Sequence, residues 1–438
     1  MNGAAGKLLE KFNKREAVIG IFGLGYVGLP LAVVFAKKNV RVIGFEKSGK
    51  KAEAVNEGRN YIGDIKPEDL TAVIKSGALT ATTDFTRIRE CDAVIICVPT
   101  PLDKFKKPEM KYIESACTDI GRYMKKGTFI SLESTTYPTT TENFMRPIIE
   151  KESKMTLEED FWLCFSAERV DPGNKNYHTE NTPKVVGGLG ETAQELGMAM
   201  YGIAIQTLYP VSSPRVSEMV KILENTYRLV NISLVNELAL LCGQMNISIW
   251  EVIEAAKTKP YGFHAFYPGP GIGGHCIPLD PFYLDYIAKN YNFDLTMIHT
   301  AGLINNQMPH RMAVKISFAL NRHKKPINGS KILFLGAAYK PDIDDERESP
   351  ALMVIDEIAK KFADISYFDP FIPEVTTEHG RHYISIPALT KEALAGADCV
   401  VITTNHSAFD PDFIVEHAQL VVDLRNTVKK PSPKVFKL

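Results

Sequence analysis

Short runs of consecutive apolar residues recur through the first two hundred positions. They are AVIGIF at 17–22, VRVIGF at 40–45, AVIICV at 93–98, TFISL at 128–132 and FWLCF at 161–165. Strict apolar–polar alternation would describe a sheet with one wet face. Uninterrupted runs describe strands buried on both faces, as in a parallel sheet covered by helices. Segments of helical spacing separate the runs, so strands and helices alternate. Ligands of such sheets bind beyond the carboxyl ends of the strands. Glu46, Thr100, Pro101, Thr136 and Glu168 stand at or just past the ends of these runs, and so fall in that region.

The rhythm changes near residue 212. Val216, Met219, Leu223, Tyr227, Val230, Leu234, Leu238 and Leu241 recur every three or four positions after Ser213 and Pro214, which read as an N-cap and a first helical residue. That predicts a helix of about 30 residues, roughly 45 Å long. It is too long to cap one sheet and is read as a connector. Its apolar stripe fits a dimer interface or packing within one chain. From residue 326 the strand signal returns, with KILFL, ISYFD, CVVIT and LVVDL. The expected fold is α/β, with two Rossmann-like, doubly wound parallel-sheet domains joined by the long helix. The expected domains are 1–211, 212–325 and 326–438.

The chain has 438 residues, 45% hydrophobic and 24% charged, with a net charge of −1. Near neutrality argues against a generic nucleic-acid binder, and no apolar run reaches membrane-spanning length. Seven dispersed cysteines without a C-x-x-C pair indicate neither a disulfide framework nor a zinc ribbon, so no metal is expected. A cytoplasmic enzyme is the expected class, since free thiols fit a reducing compartment.

One glycine turn carries chemistry. Gly23, Gly25 and Gly28 form G-L-G-Y-V-G, with Tyr26 and Val27 between the last two. The turn follows a strand, opens a helix, and is followed about 20 residues later by Glu46, the dinucleotide-binding pattern. Gly23 permits the tight turn, Gly25 lets a pyrophosphate approach, and Gly28 lets the helix pack closely. Glu46 would accept the ribose hydroxyls and repel a 2′-phosphate, which favours NAD over NADP; Lys47, next in sequence, works against that preference. The second α/β series lacks this turn and is expected to bind something other than a second dinucleotide.

A second segment, YPGPGIGGHCIPLDP at 267–281, holds a thiol among glycines and prolines. Three readings of Cys276 are open: a buried thiol, a metal ligand or a nucleophile. Gly273 and Gly274 allow close approach by a substrate or by another chain segment. Asp280 and Pro281 read as N-cap and first residue of a following helix, whose dipole would favour a thiolate nearby. Cys91, Cys97, Cys164 and Cys399 sit on or beside strands and read as core thiols. A thiolate beside a nicotinamide suits oxidation of an aldehyde through a thioester.

The motifs GLGYVGLPLA, CVPTP, EST, SAER near PG, SEMVKILENTYRLVNISLVNE, GIGGHCIPLD and GAAYKPDIDDERESPA together resemble the nucleotide-sugar 6-dehydrogenases, the UDP-glucose and GDP-mannose dehydrogenase family, over nearly the whole chain. FYPGPGIGGHCIPLDPFYL is most similar to the branch acting on UDP-N-acetylglucosamine, with UDP-N-acetylmannosamine enzymes a sister branch. The resemblance implies that Cys276 is the nucleophile, that Lys221 and Asn225 serve developing oxyanions, and that Asp280 positions a water or base. It implies that Glu168 and Thr136 assist thioester hydrolysis. Gly23, Gly25, Tyr26, Val27, Gly28, Glu46, Thr100, Pro101, Thr136 and Arg347 would contact NAD. Glu168, Lys221, Asn225, Gly273, Gly274 and Lys340 would contact the UDP-sugar. It also implies a homodimer or higher homo-oligomer, and a product used in surface polysaccharide or glycan precursors.

Each role has a plainer rival. Lys221 and Asn225 also fit a solvated helix face, Glu168 a surface pair with Arg169, and Lys340 and Arg347 an ion-pair set with Asp342, Asp344, Asp345 and Glu346. His275 and His264 receive no role. UDP-N-acetylmannosamine and UDP-glucose remain alternative substrates. A two-electron epimerase or reductase, or a non-catalytic NAD-binding interaction protein, is the alternative of a different class.

Overall fold

Five of the apolar runs become central strands of the first sheet. The protein is described by a computed structural model covering residues 3–63, 65–103, 107–171, 173–174, 176–274 and 276–438; His275 lies outside the described residues. The strands are β1 (Val18–Phe22), β2 (Arg41–Phe45), β3 (Leu79–Thr82), β4 (Ala93–Ile96), β5 (Thr128–Leu132), β6 (Phe161–Phe165), β7 (Lys184–Gly188) and β8 (Leu208–Val211). Their order is β3-β2-β1-β4-β5-β6-β7-β8, parallel throughout except for the antiparallel β6/β7 pair. The sequence reading omitted β3, β7 and β8. Two of these are edges, half exposed and too short or too polar to stand out as apolar runs.

Alternate side chains of the central strands enter opposite apolar layers. Ile19, Ile21, Val42, Ala93 and Ile95 face one layer, while Phe22, Ile43, Val94 and Ile96 face the other. A strand's period of two makes this division, and it explains why the runs show no polar alternation. Each fully buried Ile or Phe contributes about 1.5–3 kcal/mol relative to exposure.

The chain divides into two compact units, Met1–Glu224 with Phe282–Phe293, and Asn225–Pro281 with Asp294–Leu438. In the second unit, β9 (Lys331–Leu335), β10 (Asp364–Phe368), β13 (Cys399–Ile402), β14 (Val421–Asp423) and β15 (Val435–Lys437) form an all-parallel sheet ordered β10-β9-β13-β14-β15. β11 (Glu374–Thr376) and β12 (His382–Ile384) pair as a small hairpin. Both faces are again covered: Ile332, Phe334 and Val401 face one layer, Leu333, Leu335 and Val400 the other.

The long helix runs from Pro214 to Gln244, 31 residues, and begins at the proline as expected. Its faces are inverted relative to the usual amphipathic helix. Val216, Met219, Leu223, Tyr227, Leu234, Leu238 and Leu241 are each at least 40% exposed in the single chain. The buried side includes Ser217, Glu218, Asn225, Ser233 and Asn236 beside Ile222, Leu229 and Ala239. Most of the periodic stripe is therefore left exposed by the single chain, although Tyr227 meets His264 and Phe266. Among the described residues, no helix is long and apolar enough to cross a membrane.

Candidate active site

At the first sheet's switch point, the turn after β1 enters the helix Gly28–Lys37. Gly23 has φ +85°, and a Cβ there would lie 2.7 Å from the Cys97 carbonyl oxygen. A Cβ on Gly28 would lie 1.9 Å from the Gly23 carbonyl oxygen, whereas one on Gly25 would meet nothing within 4 Å. The three positions therefore differ as expected: a tight turn, a close helix packing, and one open face where an anion can approach. Tyr26 is exposed, and Val27 precedes the helix. Glu46, just beyond β2, accepts hydrogen bonds from Leu24 N–H (3.1 Å) and Ser48 N–H (3.0 Å), which fix its carboxylate beside the turn. Lys47 reaches away to Ser115 Oγ at 2.8 Å. Tyr61, absent from the sequence reading, donates to the Leu24 carbonyl at 2.7 Å and braces the turn from outside. Burial, with the Glu46 charge, pushes Tyr61 up to about 12, so it remains a donor. These residues fit a dinucleotide.

Beyond β4, Thr100 is buried and its carbonyl accepts a hydrogen bond from the Tyr283 hydroxyl; the Pro101 carbonyl accepts from Glu109 N–H at 2.9 Å. Beyond β5, the buried Thr136 hydroxyl lies 2.8 Å from Thr140 Oγ1. Glu218 of the long helix anchors this loop. It accepts from Thr139 N–H (2.6 Å), Thr141 N–H (2.9 Å) and the Thr141 hydroxyl (2.7 Å), and burial pushes its carboxyl up to about 7. Beyond β6, Glu168 Oε1 accepts from the N–H groups of Arg169 (2.7 Å) and Val170 (2.8 Å). The Arg169 guanidinium pairs instead with Glu224 and with the Pro183 carbonyl, so the rival surface pair with Glu168 is not formed. Lys221 Nζ donates to the Glu168 main-chain carbonyl at 2.7 Å.

The antiparallel β7 brings an unexpected cation to these strand ends. Lys184 at its start is buried and lies 3.0 Å from Glu133 Oε2, with a second bond to the Ala167 carbonyl. Burial pushes Glu133 up to about 7, against the pull of Lys184. A lysine opening an apolar stretch reads as a surface residue, which is why sequence inspection passes over it.

In the second unit, Cys276 is the first described residue of the helix Cys276–Ala288, directly after His275. This corrects the expected N-cap at Asp280 and first helical residue at Pro281, which both lie inside the helix. Asp280 is 1% exposed, and its Oδ2 accepts from the buried Asn225 Nδ2 at 2.6 Å, so its carboxylate serves a tertiary bond. Pro281 lies past the first turn, where it lacks the N–H that would otherwise bond to the carbonyl four residues back. Cys276 retains partial exposure at the N-terminal turn, where the helix dipole favours an anion. Cys91, Cys97, Cys117, Cys164 and Cys399 are buried, and burial pushes each thiol up, Cys91 and Cys164 to about 12. Such thiols are inert.

The close neighbour of the glycine segment is another part of the chain. A Cβ on Gly273 would lie 2.6 Å from Tyr339 Cβ and 2.7 Å from Pro350 Cδ, and one on Gly274 2.9 Å from the Tyr339 ring. Lys340 is half-buried in the same turn after β9. Arg347 makes a two-pronged pair with Asp345, 2.9 Å from Nε to Oδ1 and 2.6 Å from Nη2 to Oδ2. Lys221 and Asn225 are half-buried and buried, so neither belongs to a solvated face. His264 stacks loosely among Tyr227 and Phe266. Arg425, also missed, donates from Nε to the Thr403 carbonyl at 2.9 Å; burial lowers it to about 10, and no carboxylate among the described residues pairs with it. No group of three or more His, Cys, Asp or Glu among the described residues is placed to hold a metal.

Three family models cover the chain. Residues 17–205 match the UDP-glucose/GDP-mannose dehydrogenase family NAD binding domain, 215–307 its central domain, and 333–430 its UDP binding domain. The chain is 32% identical to UDP-N-acetyl-D-glucosamine 6-dehydrogenase of Pseudomonas aeruginosa, covering 90% of this chain and 92% of that protein. It is 34% identical to UDP-N-acetyl-D-mannosamine dehydrogenase of Campylobacter jejuni, over 92% and 97% respectively. The solved UDP-D-ManNAc dehydrogenase of Pyrococcus horikoshii superposes with a TM-score of 0.86 at 32% identity, over 96% of this chain and 98% of that one. The glycine turn with its acidic partner, the two parallel sheets and these full-length matches agree: the chain belongs to the UDP-glucose/GDP-mannose dehydrogenase family, as an enzyme that uses NAD.

Proposed function

We propose that this enzyme oxidises the C6 hydroxyl of UDP-N-acetylglucosamine to a carboxylate, removing four electrons through an aldehyde and a Cys276 thioester. The observation that carries the reading is the setting of Cys276: five thiols are buried, and of the two partly exposed ones Cys276 lies in the first turn of a helix whereas Cys242 lies near the C-terminal end of the long helix. Residues 1–211 hold NAD, 326–438 the UDP end, and 212–325 the cysteine segment and the subunit contact.

Gly23, Gly25 and Gly28 of the turn after β1 would hold NAD, with Glu46 at its ribose, and a cofactor bound there would supply the hydride acceptor, one NAD for each oxidation. Lys221 lies four residues before Asn225 on one unbroken helix, about 6 Å along its axis, so both side chains serve the same substrate oxygen. Lys221 helps remove the C6 hydroxyl proton, and Asn225 donates to the oxyanion that develops. Cys276 Sγ attacks the aldehyde carbon to give a thiohemiacetal, and loss of the second hydride leaves a thioester. Water supplies the second carboxylate oxygen, with Asp280, Glu168 and Thr136 orienting it, and the thiol is released. Lys340 and Arg347 meet the phosphates and cofactor, Arg347 by exchanging Asp345 for a ligand oxygen.

The test is the NADH formed per sugar consumed. Two molecules support the thioester route; one would leave a simple alcohol dehydrogenase. Turnover of the N-acetylglucosamine, N-acetylmannosamine and glucose nucleotides, compared side by side, assigns the sugar. The N-acetylmannosamine reading is the second candidate, because relatives carrying that name match as closely as those named for N-acetylglucosamine.

A second copy of the chain would cover the exposed stripe of the long helix. Leu234→Asp with Leu238→Asp is expected to shift the protein to monomer in sedimentation. An unchanged oligomer, or a wild-type monomer at micromolar concentration, would overturn the stripe as the contact.

A further inference from the structure

The turn after β9 leaves the second sheet where the strand order reverses, between β9 and β13, and carries Tyr339, Lys340 and Arg347. It is fastened from both neighbouring strands. Asp369, just past β10, accepts from Ala337 N–H (2.7 Å) and Ala338 N–H (3.1 Å). Thr404, just past β13, donates its hydroxyl to the Ala338 carbonyl at 2.6 Å.

His406 bridges the two sides with a fully buried ring. Its Nε2 lies 3.0 Å from Asp369 Oδ2, and its Nδ1 lies 3.0 Å from the main-chain nitrogen of Asp342. A main-chain N–H only donates, so Nδ1 is the acceptor and Nε2 carries the proton that Asp369 receives. The geometry thus assigns a neutral imidazole in one tautomer. Asp342 needs such a fastening. It is a non-glycine residue at φ +61°, held further by Ser407 N–H (2.8 Å) and the Ser407 hydroxyl (2.9 Å) on its Oδ1.

The same turn reaches the cysteine segment. The Tyr339 ring packs on Gly274, and Gly274 N–H donates to the Arg347 carbonyl at 3.1 Å. The fastening by His406 therefore bears on Lys340 directly and on the residues before Cys276 through Tyr339.

We infer that His406 is a positioning residue for the reaction: in its neutral Nε2–H form it latches the 337–347 turn, which sets Lys340 against the nucleotide and supports the segment that presents Cys276. This rests on the reading that the second unit receives the UDP-sugar. Protonation of Nδ1 sets a donor against the Asp342 N–H. The alternative acceptor is Asp342 Oδ1 at 3.9 Å, so the turn must shift to meet it. Among the described residues, Asp369 and Asp342 are the charged groups facing the ring, and Phe371 and Phe409 cover it at 5.2 and 5.3 Å. Glu346 and Tyr367 lie within electrostatic reach of Asp369.

His406→Phe keeps the ring and removes both bonds. His406→Gln offers an amide acceptor and donor but does not titrate. In hydrogen exchange, 337–347 is expected to lose protection at least about tenfold in His406→Phe and to keep it in His406→Gln. The KM for the UDP-sugar rises about tenfold in His406→Phe, the effect of one or two lost hydrogen bonds, and rises more than the KM for NAD, which would meet this turn at Arg347. Equal protection in all three proteins overturns the latch. A wild type that turns over no UDP-sugar sinks the functional reading, and the exchange comparison then still decides for or against the latch.

Discussion

Cys276→Ser is expected to form the acid at least about a thousandfold more slowly than the wild type, with the sugar nucleotide still bound. A serine hydroxyl at its ordinary pKa attacks an aldehyde poorly without a base to take its proton, whereas a thiolate is nucleophilic by itself. Quenched-flow counting of NADH and acid distinguishes the outcomes. Aldehyde-level product without acid places the cysteine at the second oxidation. Acid at the wild-type rate removes Cys276 from the mechanism altogether. The same substitution at Cys164 or Cys399 is a control, because both are buried core thiols on strands.

Gly28→Ala should be nearly as severe for the cofactor. The added Cβ would sit 1.9 Å from the Gly23 carbonyl oxygen and 3.2 Å from Cys97 Cβ. The first of these atoms is main chain and cannot swing aside. The helix Gly28–Lys37 must move off the turn, carrying with it the N–H groups that would meet the pyrophosphate. A KM for NAD raised about a hundredfold, with a stability loss of about 1–3 kcal/mol from overpacking, is expected. Gly25→Ala is the internal comparison: its Cβ meets no protein atom, so folding is spared and only the ligand encounters the methyl. Unaltered NAD affinity in Gly28→Ala would show that the turn does not hold the cofactor.

Much of the architecture was legible because both sheets are buried on two faces. Such strands are mostly apolar, and that is a local signal; β1, β2, β4, β5, β6, β9, β10, β13 and β14 all fall on segments read as strands. The edges β3 and β8 were not legible, since half-exposed short strands resemble loops. The glycine turn was legible for a related reason: each glycine answers a steric demand of its own neighbourhood. The start of the cysteine helix was misread. Asp280 and Pro281 satisfy the local rule for a helix start, but the Asn225–Asp280 bond spans 55 positions and commits that carboxylate elsewhere.

Local sequence carried the α/β class, the glycine turn followed by Glu46 and the long helix starting at Pro214. These follow from spacing and side-chain type, which act over a few residues. Only the tertiary structure decided that the apolar stripe of the long helix faces outward, that Lys184 is buried against Glu133, and that His406 bridges Asp369 and Asp342. Each of these depends on groups brought together from distant positions, where burial and hydrogen-bond demand, not local propensity, set the outcome.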